Sequence, residues 1–310
     1  MTTRPVVLPR LGRTAVEVLE SVCQHRLLST RQIHALHTPG AWLRSTERIL
    51  ARLRNAGLIA STHLSGRLNG WYLTEAGALA VETIPSRAET RRKLVSPEQA
   101  AGPLQQHTLA VNEVGVAFVR AAREHGDECG PFAWRHEIAH PLAPLPGRHT
   151  PEQLIADAVL TYQRNEPSGR ITFHYRFIEL DRATMPVDDL AAKLARYAAL
   201  YRRMLPASDP LEQSVPLWTR LYVIFPTVLL VLAGAPRQRL ERRRSTVLGL
   251  CHQDPDLIGT PEVKLTCCLL DDLTAQGPFA AIFRSPEHPR TATDWLDNGG
   301  ENGGGEGRDA

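Results

Sequence analysis

Glu179 and Asp181 stand two residues apart at the end of the run RITFHYRFIELD, and in an extended strand that spacing puts both carboxylates on one side. The same alternation places Ile171, Phe173, Tyr175 and Phe177 on that side as an apolar face. Asp157 lies among small apolar residues in LIADAVLTY, where a lone carboxylate is costly to bury without a cation, a proton or hydrogen bonds. Glu137 sits on the strand expected before that one. Carboxylates converging from neighbouring strands make a hard oxygen site, with Asp157, Glu179 and Asp181 as ligands for Mg²⁺ or Mn²⁺. A metal held in this way activates water and neutralises a phosphodiester, which is nuclease chemistry. Lys193, on the next helix, is placed to supply a cation, and it also stands four residues after Asp189, a spacing for simple pairing. The plainer alternative is a solvated strand end with one hydrogen-bonded Asp.

Other motifs carry less. His136-Glu137-Ile138-Ala139-His140 spells the HExxH pattern of zinc proteases. Pro131 before it and Pro141, Pro144 and Pro146 after it favour an extended strand over a helix. Four residues along a strand is ~13 Å of rise, too far for two histidines to share one zinc. There is no P-loop, no GxGxxG after a strand and no GxSxG elbow. Five cysteines without a CxxC pair suit a reduced compartment with neither disulfide nor zinc ribbon.

A second constellation is basic. Arg44, Arg48 and Arg52 are four apart in LRSTERILARLRN and share one helix face, with Leu43, Ile49, Leu50 and Leu53 directed to the other. Arginine matches phosphate oxygens and guanine edges, so this face suits DNA; a solvated face or a protein-docking module is the alternative. Further along, Arg237, Arg239, Arg242, Arg243 and Arg244 are a second basic cluster, readable as a phosphate-binding surface or a solvated face.

The elements that must position these groups follow from caps and periodicity. Helices are expected from Leu11 to His25, after Ser29 as N-cap, and from Leu43 to the stop at Gly57. Two short strands in IASTHLSGRLNGWYLT and a closing helix in TEAGALAVE complete the order of a winged helix-turn-helix, with Arg67 in the wing reaching backbone phosphates. Residues 85–106 are polar, basic and proline-bearing, as in a linker. From there a helix, three strands, helix, strand, helix and strand spell an α/β domain on one mixed sheet. The expected domains are therefore 1–84, 107–285 and a disordered Gly-rich tail over 286–310.

The most apolar stretch, LYVIFPTVLLVLAGAP, is interrupted by Pro226 and falls short of the ~18 or more residues of a membrane span, so a buried strand in a cytoplasmic protein is expected. Hydrophobic residues make up 43% and charged residues 22% of the 310 residues, an ordinary globular balance. The formal net charge of +3 makes local clusters, not the total, the argument for a polyanion partner.

Taken in order, the motifs resemble the replication-relaxation family of actinobacterial and Bacillus plasmid-associated proteins. They are HTLAVNEV with His107 and Asn112, WRHE with Trp134 and Glu137, IADAVL with Asp157, FIELDRAT with Glu179 and Asp181, and KLARY with Lys193 and Tyr197. That resemblance implies a role in replication or DNA relaxation of plasmids and mobile elements. His107 and Asn112 read as helix-start and packing residues. The acids of the second domain also resemble the PD-(D/E)XK restriction-endonuclease-like fold, whose pattern ends in Glu-x-Lys; here Asp181 stands where that lysine would be. The combined expectation is a cytoplasmic protein on double-stranded DNA, a homodimer on paired half-sites. Its second domain either nicks DNA with Mg²⁺ or Mn²⁺, using Glu137, Asp157, Glu179, Asp181 and Lys193, or serves a non-enzymatic regulator or replication accessory factor.

Overall fold

The structure, a computed structural model, describes residues 11–64, 69–84, 94–102, 104–142, 152–205 and 214–296. The chain divides into two compact units, Met1–His140 with Ile155–Leu180, and Pro141–Leu154 with Asp181–Ala310.

The first unit begins with α1 (Arg13–His25), β1 (Leu28–Ser29), α2 (Thr30–His37) and α3 (Leu43–Asn55). It continues with β2 (Ile59–His63), β3 (Asn69–Leu73) and α4 (Glu75–Glu82). Val18, Leu19 and Val22 recur at helical spacing on α1 and are buried. α2 starts at a reciprocal cap: the Gln32 N–H donates to Ser29 Oγ at 3.2 Å, and the Ser29 N–H donates to Gln32 Oε1 at 2.9 Å. Beyond α3 the chain reverses through Gly57 at φ +72°, a conformation open to glycine. β3 lies between β1 and β2, antiparallel to both, with Trp71 opposite Leu28 and donating its indole N–H to Thr30 Oγ1 at 2.9 Å. A Cβ on Gly77 would stand 1.9 Å from the Leu58 carbonyl oxygen, so α4 sits at a distance only glycine allows.

The stretch expected as a linker is partly built into this unit. α5 (Pro97–Ala101) opens on a second reciprocal cap between Ser96 and Gln99, and Ala100 is buried with Leu27 and Tyr72. α6 (Leu104–His125) begins inside the expected linker range. The boundary over 85–106 is thus corrected: apolar Val95, Ala100 and Leu109 join the core around Leu27 and Tyr72. Residues 85–93 lie outside the described residues.

β4 (Trp134–Pro141), β5 (Gln153–Asn165) and β6 (Ile171–Asp181) follow, with β5 between the other two. β4 covers RHEIAH, so the HExxH residues lie on a strand, as the flanking prolines require. β5 and β6 pair antiparallel from Asn165 opposite Ile171 to Ala158 opposite Ile178. The expected apolar face is corrected at its outer half: Phe177 is buried, whereas Ile171 and Phe173 are 56% and 47% exposed. At the tip of a hairpin, no other described element covers that face.

The second unit holds α7 (Val187–Arg202), β7 (Met204–Leu205), β8 (Val215–Pro216), β9 (Thr227–Leu232), α8 (Arg237–Gln253), α9 (Pro255–Ile258), β10 (Leu265–Leu269) and α10 (Leu270–Gln276). β9 and β10 run parallel, Val228 opposite Leu265 through Leu232 opposite Leu269. Both are buried along their whole length, which is why TVLLVL and LTCCL are continuous apolar runs and not alternating ones. Thr227–Leu232 of the expected apolar stretch is a buried strand, whereas Leu221, Val223 and Ile224 before it are exposed and outside any strand; no described helix is long and apolar enough to cross a membrane. Strand pairing across the molecule is mixed, in an α+β arrangement. The expected tail is corrected in part: Phe283 bridges Thr293, and Trp295 is buried, its backbone N–H donating to Pro278 at 3.1 Å. Residues 297–310 lie outside the described residues.

Candidate functional site

On α3, Thr46, Leu50 and Leu53 are buried, and Arg44, Arg48 and Arg52 are exposed on the opposite side. No ion pair among the described residues engages these three arginines. Arg54, at the end of the helix, and Arg31, on α2, are exposed as well. The packing side is narrower than expected: Ile49 is half-buried, and Leu43 is 39% exposed beside Trp42, which is 86% exposed. Arg67 lies outside the described residues.

The acidic constellation is dispersed among separate partners. Glu137 adopts φ +48° within β4 and pairs with Arg26 Nη1 at 2.5 Å, and Arg26, just past α1, is itself at φ +66°. Two non-glycine residues in the left-handed region, bound to each other, are a costly local arrangement that the surrounding packing must hold. Asp157 accepts the Leu180 N–H at 2.8 Å and lies 3.5 Å from His107 Nε2. Glu179, in the first unit, is buried. Asp181, in the second unit, is buried in an ion pair with Arg243, whose guanidinium also donates to the Met185 carbonyl at 2.6 Å. Tyr197 is a fully buried packing residue on α7, and Lys193 is half-buried on the same helix.

Among the described residues no group of three or more His, Cys, Asp or Glu could hold a metal ion. Arg243 pairs with Asp181, and Asp157 accepts a backbone N–H. Burial pushes the Cys129 and Cys251 thiols up to about 12 and Cys268 well above its ordinary value, away from the reactive thiolate.

A feature that sequence reasoning undervalued is the hub at Asn112. This fully buried side chain donates through Nδ2 to the Leu27 carbonyl at 2.8 Å and the His25 carbonyl at 3.3 Å. Its Oδ1 accepts the Trp134 indole N–H at 3.0 Å and lies 2.9 Å from His136 Nε2. An amide oxygen only accepts, so the hydrogen bond assigns the His136 proton to Nε2. Burial then pushes His136 well below its ordinary pKa, with His25 and Arg26 adding to the effect, and keeps it neutral. His25 stacks on Trp134 with centroids 3.9 Å apart, its Nε2 2.7 Å from the Pro131 carbonyl oxygen. A Cβ on Gly115 would stand 2.5 Å from the Trp134 ring, so a glycine on α6 admits the indole.

Two further anchors join α2 to α6. Gln32 Nε2 donates to the Leu109 carbonyl at 2.8 Å and to Glu113 at 2.9 Å. Arg123 donates to the Ala35 and Leu36 carbonyls in the last turn of α2, where a cation also meets the negative end of the helix dipole. α1 and α2 are thereby bolted to α6, and α3 presents its arginines from a fixed frame. The signal in the sequence was one amide, Asn112, on the otherwise apolar face of LAVNEVGVAFV.

No curated protein and no solved structure matches this chain significantly. A family model does: replication-relaxation, over residues 19–208, a stretch that holds the α3 arginines, the Asn112 hub and every acid discussed above. That match spans well over half of the 310 residues, and the chain belongs to the replication-relaxation family.

Proposed function

We propose that this protein is a double-stranded-DNA-binding factor in the replication or relaxation of plasmids or mobile elements, and that it acts without cleaving DNA itself. In this reading α1–α3 with β1–β3 form a winged helix-turn-helix, and α3 enters the major groove. Arg44, Arg48 and Arg52 meet phosphates and base edges. The observation that carries it is the exposed arginine row on α3, opposite buried Thr46, Leu50 and Leu53. The engaged acids support an accessory role over a nickase, because a metal site needs carboxylates that the fold has not committed elsewhere.

Supercoiled plasmid incubated with the protein in Mg²⁺, Mn²⁺ or EDTA tests both parts at once. Retarded plasmid of unchanged topology in all three conditions is the expected result. Nicked or relaxed plasmid that needs the metal and is lost in Asp157→Ala and Glu179→Ala would overturn the accessory reading. Absence of retardation at low salt would overturn DNA binding. A homodimer on paired half-sites predicts two copies per retarded duplex, measurable by sedimentation.

A further inference from the structure

Trp42 and Leu43 are an apolar shoulder at the start of α3, next to the arginine row. The indole is 86% exposed and makes no side-chain cap for the helix, although it occupies the capping position. Leu43 is 39% exposed, and together with Arg44, Ser45, Glu47 and Arg48 the pair lines an open hollow on this flank. A Trp this exposed is unusual, and here it stands among the groups that suit a polyanion. What a major groove offers such a shoulder is the thymine C5-methyl group, the apolar feature on its floor.

Resting on the DNA-binding reading above, we infer that Trp42 and Leu43 are specificity-determining residues that recognise thymine methyl groups, while Arg44 and Arg48 supply the charge that holds α3 in the groove. Burial of one methyl against the indole is worth about a fourfold change in affinity. The shoulder therefore biases the binding site toward T·A pairs at the bases facing the start of α3, and contributes little on DNA that lacks them.

The test begins with duplexes selected from a random pool by the full chain. In the selected duplex each thymine is replaced in turn by deoxyuridine, which removes only the methyl group. The expected result is one or two positions where the replacement weakens wild-type binding about fourfold. That sensitivity disappears in Trp42→Ala, is partly kept in Trp42→Leu, and survives in Arg48→Ala, which weakens binding overall. Both Trp42 variants replace an exposed side chain, and an unchanged melting temperature confirms that they fold.

A selected site without thymine, deoxyuridine tolerated everywhere, or equal sensitivity in wild type and Trp42→Ala would overturn the inference and leave DNA binding intact. A Trp42-dependent dimer without DNA, together with no methyl effect, would also overturn it and assign the shoulder to a second copy of the chain. Failure of the wild type to select or retard any duplex would overturn both readings.

Discussion

α3 carries Arg44, Arg48, Arg52 and Arg54 within its 13 residues, and α8 carries Arg237, Arg239, Arg242, Arg243 and Arg244 within its 17. On α8 four of the five guanidinium groups meet partners within the second unit. Arg237 forks onto Asp272 at 2.6 and 3.0 Å, Arg243 pairs with Asp181, Arg244 is buried against Glu241, and Arg239 reaches the Ala183 carbonyl at 3.4 Å. Only Arg242 is exposed without a partner of this kind among the described residues. Arg237, Arg239 and Arg242 are still exposed, so α8 keeps a solvated face, though one with much of its charge already paired. On α3 the one acid is Glu47, itself exposed, and no carboxylate from another described element reaches the arginine row. A basic run is available to a polyanion only where the fold has not already spent its charge on its own carboxylates.

Asp181→Ala sharpens this contrast most. Both side chains of the Asp181–Arg243 pair are less than a tenth exposed, so removing one partner strands a buried charge. The expected loss is about 3–5 kcal/mol in urea unfolding, most of it recovered in the double variant Asp181→Ala/Arg243→Met. Unchanged stability in Asp181→Ala would show that the pair is not a structural one.

Asn112→Ala tests the frame that presents α3. It leaves two ring N–H groups and two carbonyls without their buried partner, and about 3 kcal/mol of destabilisation is expected. A change below about 1 kcal/mol would show that water replaces the amide and that the hub is not structural.

Acid produces a smaller, graded effect. Burial depresses His37 and His174 to about 4 and His136 well below its ordinary 6.5. Each is neutral in the folded chain and binds a proton more readily once unfolded. Their contribution is present above pH 6.5 and lost as pH falls toward about 4, which unfolding free energies measured across that window will register. Stability that rises across the same window on acidification would contradict the buried, neutral state of His136.

The smallest effect on stability is expected at α3. Arg44→Ala, Arg48→Ala and Arg52→Ala should each change unfolding free energy by no more than about 0.5 kcal/mol. The triple variant should nevertheless lower the dependence of log affinity on log salt by about three for duplex DNA. A triple variant that unfolds easily would place these arginines with those of α8, and one that keeps its salt slope would end the DNA reading.

Much of the first unit was legible before any coordinates. Ser29 with Gln32, Gly57, and the alternation through β2 and β3 are local signals, because caps and turns act over three or four residues. β9 was legible for a different reason, since a run apolar at every position fits only a strand buried on both faces. Parity correctly put Glu179 and Asp181 on the alternation of β6, but their partners come from elsewhere in the chain. Arg243 lies 62 positions from Asp181, and no spacing rule reaches that far. Strand parity failed for Ile171 and Phe173 because alternation says which residues share a face, not whether anything covers it.

By itself the sequence determined the longer helices and strands (α1–α4, α6–α8, β2–β6, β9 and β10), the arginine row of α3, the reading of RHEIAH as a strand, and the motif order that marks the family. All of these depend on side chains a few positions apart, or on a pattern read along the chain. Only the tertiary structure decided which charges remain available. It spent Asp181 on Arg243 and Glu137 on Arg26, and it made Asn112 the bolt between α1, α6 and β4. The physical reason is that a buried charge or amide must find a partner wherever the fold brings one, and that partner is chosen by packing, not by proximity in sequence.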